Sequence, residues 1–369
     1  MNKITIIFAI DNNYVKQCFT VVKSILLNSD KNRSYEIDIL SKDISIENEK
    51  IIRSLANKYN NVSFNFVNMV KILENFNLEK YMSRRQNYEY ISIETYFRFF
   101  IPELFKQYDK VLYLDADVIV NDDISKLFDE DINNYYAGVV QDKIIETCTG
   151  NPKSKMCQYP NMTIQEYFQN KLKKSDFKYF NAGVLLLNLS KIRNDNIVEK
   201  LWKYTADESP LEYQDQDVLN AVIGNNVKYL EYKWNVLSNK WGIEQYPQKK
   251  FRKILKKTYQ KPSIFHYVGE DKPWKLIEDK DYNYNHIMLW WKYYKQTPYY
   301  NKFDKYVLKN ILWHKKYHNY LSIFYLNLLG FDILKIDICN YRLNLRILHR
   351  LKTNIKLIKP KYFNSMKSI

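Results

Sequence analysis

The opening of the chain switches between two rhythms of apolar and polar residues. ITIIFAI (4–10) is short and almost wholly apolar, as a buried strand is. DNNY (11–14) is a polar turn. VKQCFTVVKSILLNS (15–29) then sets Val15, Phe19, Val22, Ile25 and Leu26 at helical spacing. YEIDILS (35–41) alternates with period two. SIENEKIIRSLANKY (45–59) is an amphipathic helix with Ser45 in the N-cap place. NVSFNFVNM (61–69) alternates again. This β-α-β-α-β opening predicts a parallel sheet covered on both faces.

Further along, SIETYFRFFIPELF (92–105) predicts a helix capped by Ser92. KVLYLDADVIV (110–120) and YFNAGVLLLNL (179–189) read as buried strands, and DQDVLNAVI (215–223) starts a helix. KYLEYKWNVL (228–237) and SIFHYV (263–268) read as late strands. Composition then changes: from residue 284 aromatics and lysines dominate. NYRLNLRILHRLKTNIKLIK (340–359) sets Ile347, Leu348, Leu351, Ile355 and Ile358 at helical spacing, with Arg342, Arg346 and Arg350 beside them. That is a basic amphipathic helix, the signature of a membrane-surface segment. Upstream, LWWKYYKQTPYYNKF (289–303) interleaves aromatics with lysines as interfacial segments do. The competing reading packs these helices on the preceding domain and leaves the cations solvated.

Composition bounds the function. The 369 residues are 46% hydrophobic and 16% aromatic, enough for a sizeable core, and 7 Gly and 9 Pro leave little room for long flexible linkers. The scattered Cys18, Cys148, Cys157 and Cys339 form no CxxC pair, which argues against a thiolate zinc site and fits a reducing compartment. The apolar start is too short for a signal peptide and lacks a small-residue cleavage site, and no apolar run reaches the ~20 residues that span a bilayer. The net charge is +16, but residues 284–369 hold 16 Lys/Arg against 3 Asp, so +13 of it lies there and +3 in the first 283. The chain is thus expected to be a near-neutral domain, 1–275, with a basic extension, 276–369. A nucleic-acid binder, suggested by the pI of about 9.3, is disfavoured by that distribution and by the lack of zinc-finger, RNP-like or Gly-rich nucleic-acid motifs.

The candidate chemistry lies at strand ends, where open α/β sheets bind ligands. Asp115 and Asp117 follow VLYL. Residues i and i+2 of an extended chain share one side, so the pair has the spacing to hold one cation, and oxygen ligands suit Mg2+ or Mn2+. A solvent-exposed turn is the other reading of so short a motif.

Context decides between them. FAIDNNY, KVLYLDADVIVNDDISKLFD, FNAGVLLLNL, YQDQDVLN and HYVGEDKPW occur in this order over roughly residues 4–275. Together they resemble the bacterial galactosyl- and glucosyltransferases and glycogenin of glycosyltransferase family 8. The resemblance implies an α/β fold of GT-A type: a single Rossmann-like domain with a mixed central sheet, here followed by a basic, mainly helical extension. It implies a UDP-hexose donor, a glycan or glycolipid acceptor such as lipopolysaccharide, Mn2+ (or Mg2+) and retention of configuration. Asp115 and Asp117 are then the metal-binding acids and His266 the third protein ligand. Lys272 would meet the diphosphate as a point charge, and Gly269 would let backbone approach it. Ala9, Asp11, Asn13 and Tyr14 would line the uridine pocket, with Ala116 near the ribose. Arg98 would reach the donor, or else pair internally with an acid. Asn181, Asp215 and Gln216 would surround the hexose, with Asp217 capping the helix. Asp142 matches an acceptor-side position.

In a retaining glycosidase a carboxylate attacks the anomeric carbon. The motif instead places the amide of Gln216 there, a weak nucleophile, which favours attack by the acceptor from the leaving-group face. The basic extension would hold the enzyme on an anionic membrane surface, at the cytoplasmic side of a bacterial inner membrane. A sugar nucleotidyltransferase is a third alternative, disfavoured because this sequence shows no Gly-rich basic activation loop near its N-terminus.

Overall fold

The structure is a computed structural model that describes residues 3–76, 93–149, 155, 161–208, 211–239, 241–269, 272–275, 284–317, 321–328, 331–339, 342–347 and 351–356. Strands β1 (Lys3–Ala9), β2 (Ser34–Ser41) and β3 (Val62–Asn68) alternate with helices α1 (Val15–Asn28) and α2 (Ile46–Arg53). They pair in parallel, β1 with β2 and β2 with β3, as the opening rhythm predicts. Ser45 caps α2, its side chain accepting from the Asn48 N–H. Ile6, Ile7, Phe8, Ile37 and Ile39 are fully buried, because helices cover a parallel sheet on both faces.

The full sheet runs β3-β2-β1-β4-β7-β6-β8, with β4 (Lys110–Leu114), β6 (Ala137–Gln141), β7 (Phe180–Asn188) and β8 (Val227–Tyr229). Strand β4 continues the parallel set beside β1, while β7 runs antiparallel to both β4 and β6. This one reversal has a consequence for chemistry. The start of β7 lies beside the ends of β4 and β6, so three polar segments meet at one sheet edge.

A smaller sheet, β5-β10-β9, consists of β5 (Val118–Val120), β9 (Val236–Leu237) and β10 (Ile264–His266). The structure therefore corrects two sequence readings. VLYLDADVIV is not one strand: β4 ends at Leu114 and β5 begins at Val118 in the other sheet. Asp115 and Asp117 face one another because a turn links two sheets, not because the chain stays extended. Likewise 228–237 splits into β8, a 3-10 turn at Tyr232–Trp234, and β9. The predicted helix over 92–105 is a 3-10 helix, Ile93–Phe99, followed by a short α-helix, Ile101–Leu104; its expected cap, Ser92, lies outside the described residues. Tyr96, Phe97, Phe99, Phe100 and Ile101 are all buried, which leaves this segment no exposed face to alternate with.

The chain divides into two compact units, Met1–Glu270 with Lys292–Tyr299, and Asp271–Trp291 with Tyr300–Ile369. The second contains most of helix Tyr284–Tyr294, helix Lys302–Tyr317 and a four-stranded antiparallel meander, β11 (Leu321–Leu328), β12 (Phe331–Cys339), β13 (Arg342–Ile347) and β14 (Leu351–Lys356). The basic amphipathic helix expected over 340–359 is thus corrected to two strands, paired Arg342 to Lys356 through Ile347 to Leu351. RLNLRI alternates strictly, and its period-two signal wins over the helical spacing of Ile347, Leu351 and Ile355. After its two helices the described residues of the extension form sheet. No helix among the described residues is long and apolar enough to cross a membrane.

Candidate active site

Strand pairing assembles the site. The Asp115 N–H donates to the Gly183 carbonyl (2.9 Å), continuing the β4–β7 ladder past Leu114. Strand β10 pairs antiparallel with β5, setting His266 opposite Val118, and the Tyr267 N–H donates to the Asp117 carbonyl (2.9 Å). One ligand atom from each of Asp115, Asp117 and His266 then falls within 4.8 Å of the others. His266 Nε2 lies 3.1 Å from Asp117 Oδ1 and 3.8 Å from Asp115 Oδ2.

Gly183 makes this convergence possible. A Cβ there would stand 2.2 Å from His266 Cε1 and 2.7 Å from Asp115 Oδ2. Backbone forms the floor of the cluster, and no side chain fits beneath it.

The question raised by two acids at a buried strand end has separate answers for each. Asp115 is neutralised from within. Arg98 NH2 lies 3.1 Å from Asp115 Oδ1 and Arg98 Nε 3.1 Å from Asp215 Oδ2. The guanidinium also donates to the carbonyls of Ala182 (2.6 Å) and Thr95 (2.9 Å) and stacks over Tyr113, 4.4 Å from its centroid. The Tyr113 hydroxyl donates to Asp115 Oδ1 (2.9 Å) and the Thr95 hydroxyl to Asp215 Oδ1 (2.9 Å). Burial opposes the Arg98 charge, but Asp215 and Asp115 outweigh it and raise its pKa. Burial pushes the Asp215 carboxyl up, and Arg98 pulls it back. Arg98 is an internal counter-charge to Asp115 and Asp215.

Asp117 faces the imidazole instead. His266 Nδ1 lies 3.0 Å from Asn235 Oδ1. The Asn235 amide orientation follows from its other end, where Nδ2 donates to Asn181 Oδ1 (2.9 Å), which also accepts the Gly183 N–H (3.0 Å). The network thus assigns the His266 proton to Nδ1 and turns the Nε2 lone pair toward both carboxylates. Three electron-rich atoms converge, with no hydrogen between Nε2 and Asp117 Oδ1 in that tautomer. Two carboxylate oxygens and one imidazole nitrogen, with Asn235 orienting the ring, fit a divalent cation such as Mn2+.

The hexose-side residues are tied to this edge. Gln216 Oε1 accepts the Ala182 N–H (2.9 Å). Helix Asp215–Ile223 is clamped to β7 by Asn220, whose amide exchanges two bonds with Phe180 (2.8 and 2.9 Å). Gln214, just before it, holds a left-handed φ of 49°, a strained conformation that sets the angle at which Asp215 and Gln216 enter. Asp217 does not cap this helix with its side chain. It is fully buried and accepts from Tyr179 OH (2.6 Å), Tyr167 OH (2.7 Å) and the Tyr213 N–H (2.7 Å). Burial raises its pKa to about 6.

Asp142 follows β6 and caps helix Lys143–Thr149 by accepting the N–H groups of Ile144 (3.0 Å) and Ile145 (3.1 Å). Its other oxygen receives Asn181 Nδ2 (3.4 Å), and its burial raises its pKa. One chain of contacts therefore runs Asp142–Asn181–Asn235–His266.

At the end of β1, Asp11 accepts the Tyr14 N–H (2.9 Å) and Asn13 Nδ2 (3.1 Å), which fixes the turn. Burial, then the charges of Asp117, Asp11 and Asp115, raise the Tyr14 phenol, which places its ring within the field of the carboxylates. Ala9 is partly buried at the strand end and Ala116 is buried between the two acids. Gly269 holds a φ of +76° just beyond β10, a conformation that favours glycine. Lys272 belongs to the second unit, where its ammonium lies over the Trp274 ring, 6.0 Å from the centroid. Sequence reasoning missed Asn235, Thr95, Tyr113, Gly183 and Asn220 as site residues. Gly183, Tyr113 and Asn220 stood inside the motifs FNAG, VLYLDADVIV and YQDQDVLN, where nothing in the pattern set them apart from their neighbours.

A seven-stranded mixed sheet with acids and an imidazole gathered at one strand end defines a glycosyltransferase of GT-A fold. The chain belongs to glycosyl transferase family 8, whose model matches residues 5–278. It is 26% identical over 303 residues to General stress protein A of Bacillus subtilis, across 78% of this chain and 94% of that one. It is 26% identical over 279 residues to the lipopolysaccharide 1,3-galactosyltransferase of Salmonella typhimurium, across 74% of this chain and 73% of that one. It is also similar to the crystal structure of the galactosyltransferase LgtC in complex with donor and acceptor sugar analogs, with a TM-score of 0.63 and 25% identity over 82% of this chain and all of the other.

Proposed function

We propose that this glycosyltransferase moves glucose or galactose from a UDP-sugar to a glycan or glycolipid acceptor, with retention of configuration and dependence on a divalent cation. The observation that carries the reading is the convergence of Asp115, Asp117 and His266 on the backbone of Gly183. Asp115, Asp117 and His266 would hold Mn2+, or Mg2+ in its place. Such a cation, when bound, offsets the charge that develops on a departing diphosphate.

The remaining work falls to side chains. Asp11, Asn13 and Tyr14 form one wall for the nucleoside at the end of β1. Asp215, held by Arg98 and Thr95, offers its carboxyl oxygens to sugar hydroxyls. Gln216 has its amide held in place by the Ala182 N–H, which donates to Oε1 (2.9 Å), and an amide oxygen is a weak nucleophile toward the anomeric carbon. This supports a front-face route in which the acceptor hydroxyl attacks from the diphosphate side and a diphosphate oxygen takes its proton. Gln216 then orients the hexose and forms no covalent bond, and Asp142 and Asn181 shape the acceptor side.

The test is incubation of the full chain with UDP-glucose and UDP-galactose, with and without Mn2+, following UDP release and products by mass spectrometry. Cation-dependent UDP release from one of the two is expected. Release unaffected by chelation, or pyrophosphate formation from UTP, would contradict the reading.

A further inference from the structure

Helix Lys249–Gln260 reads KKFRKILKKTYQ: six cations and no acid. No Asp or Glu occurs from Gln245 to Gly269, so none of these cations has a carboxylate partner on its own helix. Elsewhere in the first unit exposed lysines meet acids one turn away, as Lys126 does Asp122 (3.0 Å) and Lys191 does Asp195 (3.1 Å). Here Lys249, Lys253 and Lys257 recur every fourth residue, an arrangement of like charges that weakens an isolated helix.

One face of the helix is anchored. Leu255 and Tyr259 are buried, the Tyr259 hydroxyl donates to the Ser238 carbonyl (2.8 Å), and its ring meets Phe265 edge-on (5.7 Å). Arg252 donates to the Tyr246 carbonyl (2.6 and 2.9 Å). The opposite face is open. Lys249, Lys250, Lys253, Lys256 and Lys257 are exposed, and Phe251 and Ile254, one turn apart, are each 51% exposed.

We propose that this outward face docks the enzyme on an anionic lipid surface, with the lysines among the headgroups and Phe251 and Ile254 in the interfacial layer. The charge is complementary to anionic headgroups and has no internal counterpart on the helix. The two exposed apolar side chains separate a bilayer from a soluble polyanion, which would give Phe251 and Ile254 nothing to bury against. The site differs from the extension at 340–359 and lies within the first unit. It also couples to the metal cluster: Ser238, which accepts from Tyr259, donates its N–H to the His266 carbonyl (2.8 Å). A lipid surface engaged here would be one helix away from the strand that delivers His266, on whose Phe265 the inner face packs; access to a lipid-linked acceptor, on the proposed function, calls for such proximity.

Each basic residue near an anionic surface strengthens partitioning roughly fivefold. The test is co-sedimentation of the full chain with vesicles of phosphatidylcholine alone or mixed with phosphatidylglycerol. Wild type is expected to bind the mixed vesicles only. Lys250→Gln/Lys253→Gln/Lys257→Gln should bind them about a hundredfold more weakly, and Phe251→Ser/Ile254→Ser should weaken binding with the charge unchanged. Both variants should keep the wild-type melting temperature and UDP-sugar hydrolysis, since no substituted residue belongs to the active site. Equal binding of the lysine variant and wild type, or no wild-type binding, would overturn the proposal. So would a lysine-dependent affinity for heparin that exceeds vesicle binding and ignores Phe251 and Ile254, which would assign the face to a soluble polyanion.

Discussion

The two halves of the acidic cluster solve the same electrostatic problem in opposite ways. Asp115 sits beside a permanent counter-charge, since Arg98 bridges it to Asp215 and Tyr113 adds a hydroxyl. Asp117 faces His266, whose proton is drawn to the far side by Asn235. One half is complete as the chain folds. The other is the half that the proposed cation would complete. The difference teaches that a shared motif does not imply a shared burden: Asp115 is tied to the fold through Arg98, and on the proposed function Asp117 would serve the cation.

The harshest way to break this comparison is Arg98→Met. It leaves Asp215 buried and Asp115 half-buried without their cation, and removing one partner of a buried pair such as Arg98–Asp215 costs about 3–5 kcal/mol. The expected outcome is a large loss of stability in urea unfolding, with activity lost as a consequence. Asp117→Asn should do the reverse, abolishing cation-dependent UDP release with little change in the urea midpoint. Similar stability losses in both variants would erase the distinction.

Gly183→Ala comes next. Its methyl would drive into His266 and Asp115, so cation-dependent activity should fall by more than about a hundredfold. The measurement is UDP release across a Mn2+ titration; a wild-type response would show that the floor beneath the cluster is not tight.

Asn235→Ala removes the group that orients His266. Loss of such a partner commonly weakens a metal site about 10–100-fold. The sign to look for is a raised Mn2+ requirement with the rate largely restored at saturating Mn2+. A lowered maximal rate at an unchanged requirement would make Asn235 a structural residue instead.

Much of this was legible in the sequence, for definite reasons. The opening strands announced themselves because a parallel sheet buries both faces, so ITIIFAI and VKQCFTVVKSILLNS have different rhythms. Arg98 was conspicuous as a cation among aromatics, but its partners were not, since Asp115 and Asp215 reach it only through tertiary folding. Asn235 gave no signal: one asparagine in KWN says nothing until β9 and β10 pair and bring it to His266. The 340–359 segment misled because its leucines and isoleucines satisfy two periods at once, and pairing across β13 and β14 chose the shorter. Helix Lys249–Gln260 went unread because its cations mask a weak apolar stripe, Leu255 and Tyr259.

The smallest effect concerns acid–base balance away from the site. Burial raises the Asp38 carboxyl to about 6, above the ~3.9 of an unfolded chain. Between those values the folded state holds the proton more tightly, so this group's contribution is greatest below about pH 4 and is lost as pH rises through 6. Asp38→Asn should therefore gain melting temperature relative to wild type as pH climbs from about 4 to 7. A difference that stays flat or shrinks over that range would reverse the assigned sign.

The most direct measurement is Mn2+ binding to the full chain, followed by electron paramagnetic resonance without any turnover. Wild type should bind Mn2+, more tightly with UDP present; Asp117→Asn and His266→Ala should lose that binding while keeping the wild-type melting temperature. Folded variants that bind Mn2+ as wild type does would contradict the assignment of Asp115, Asp117 and His266 as the cation site.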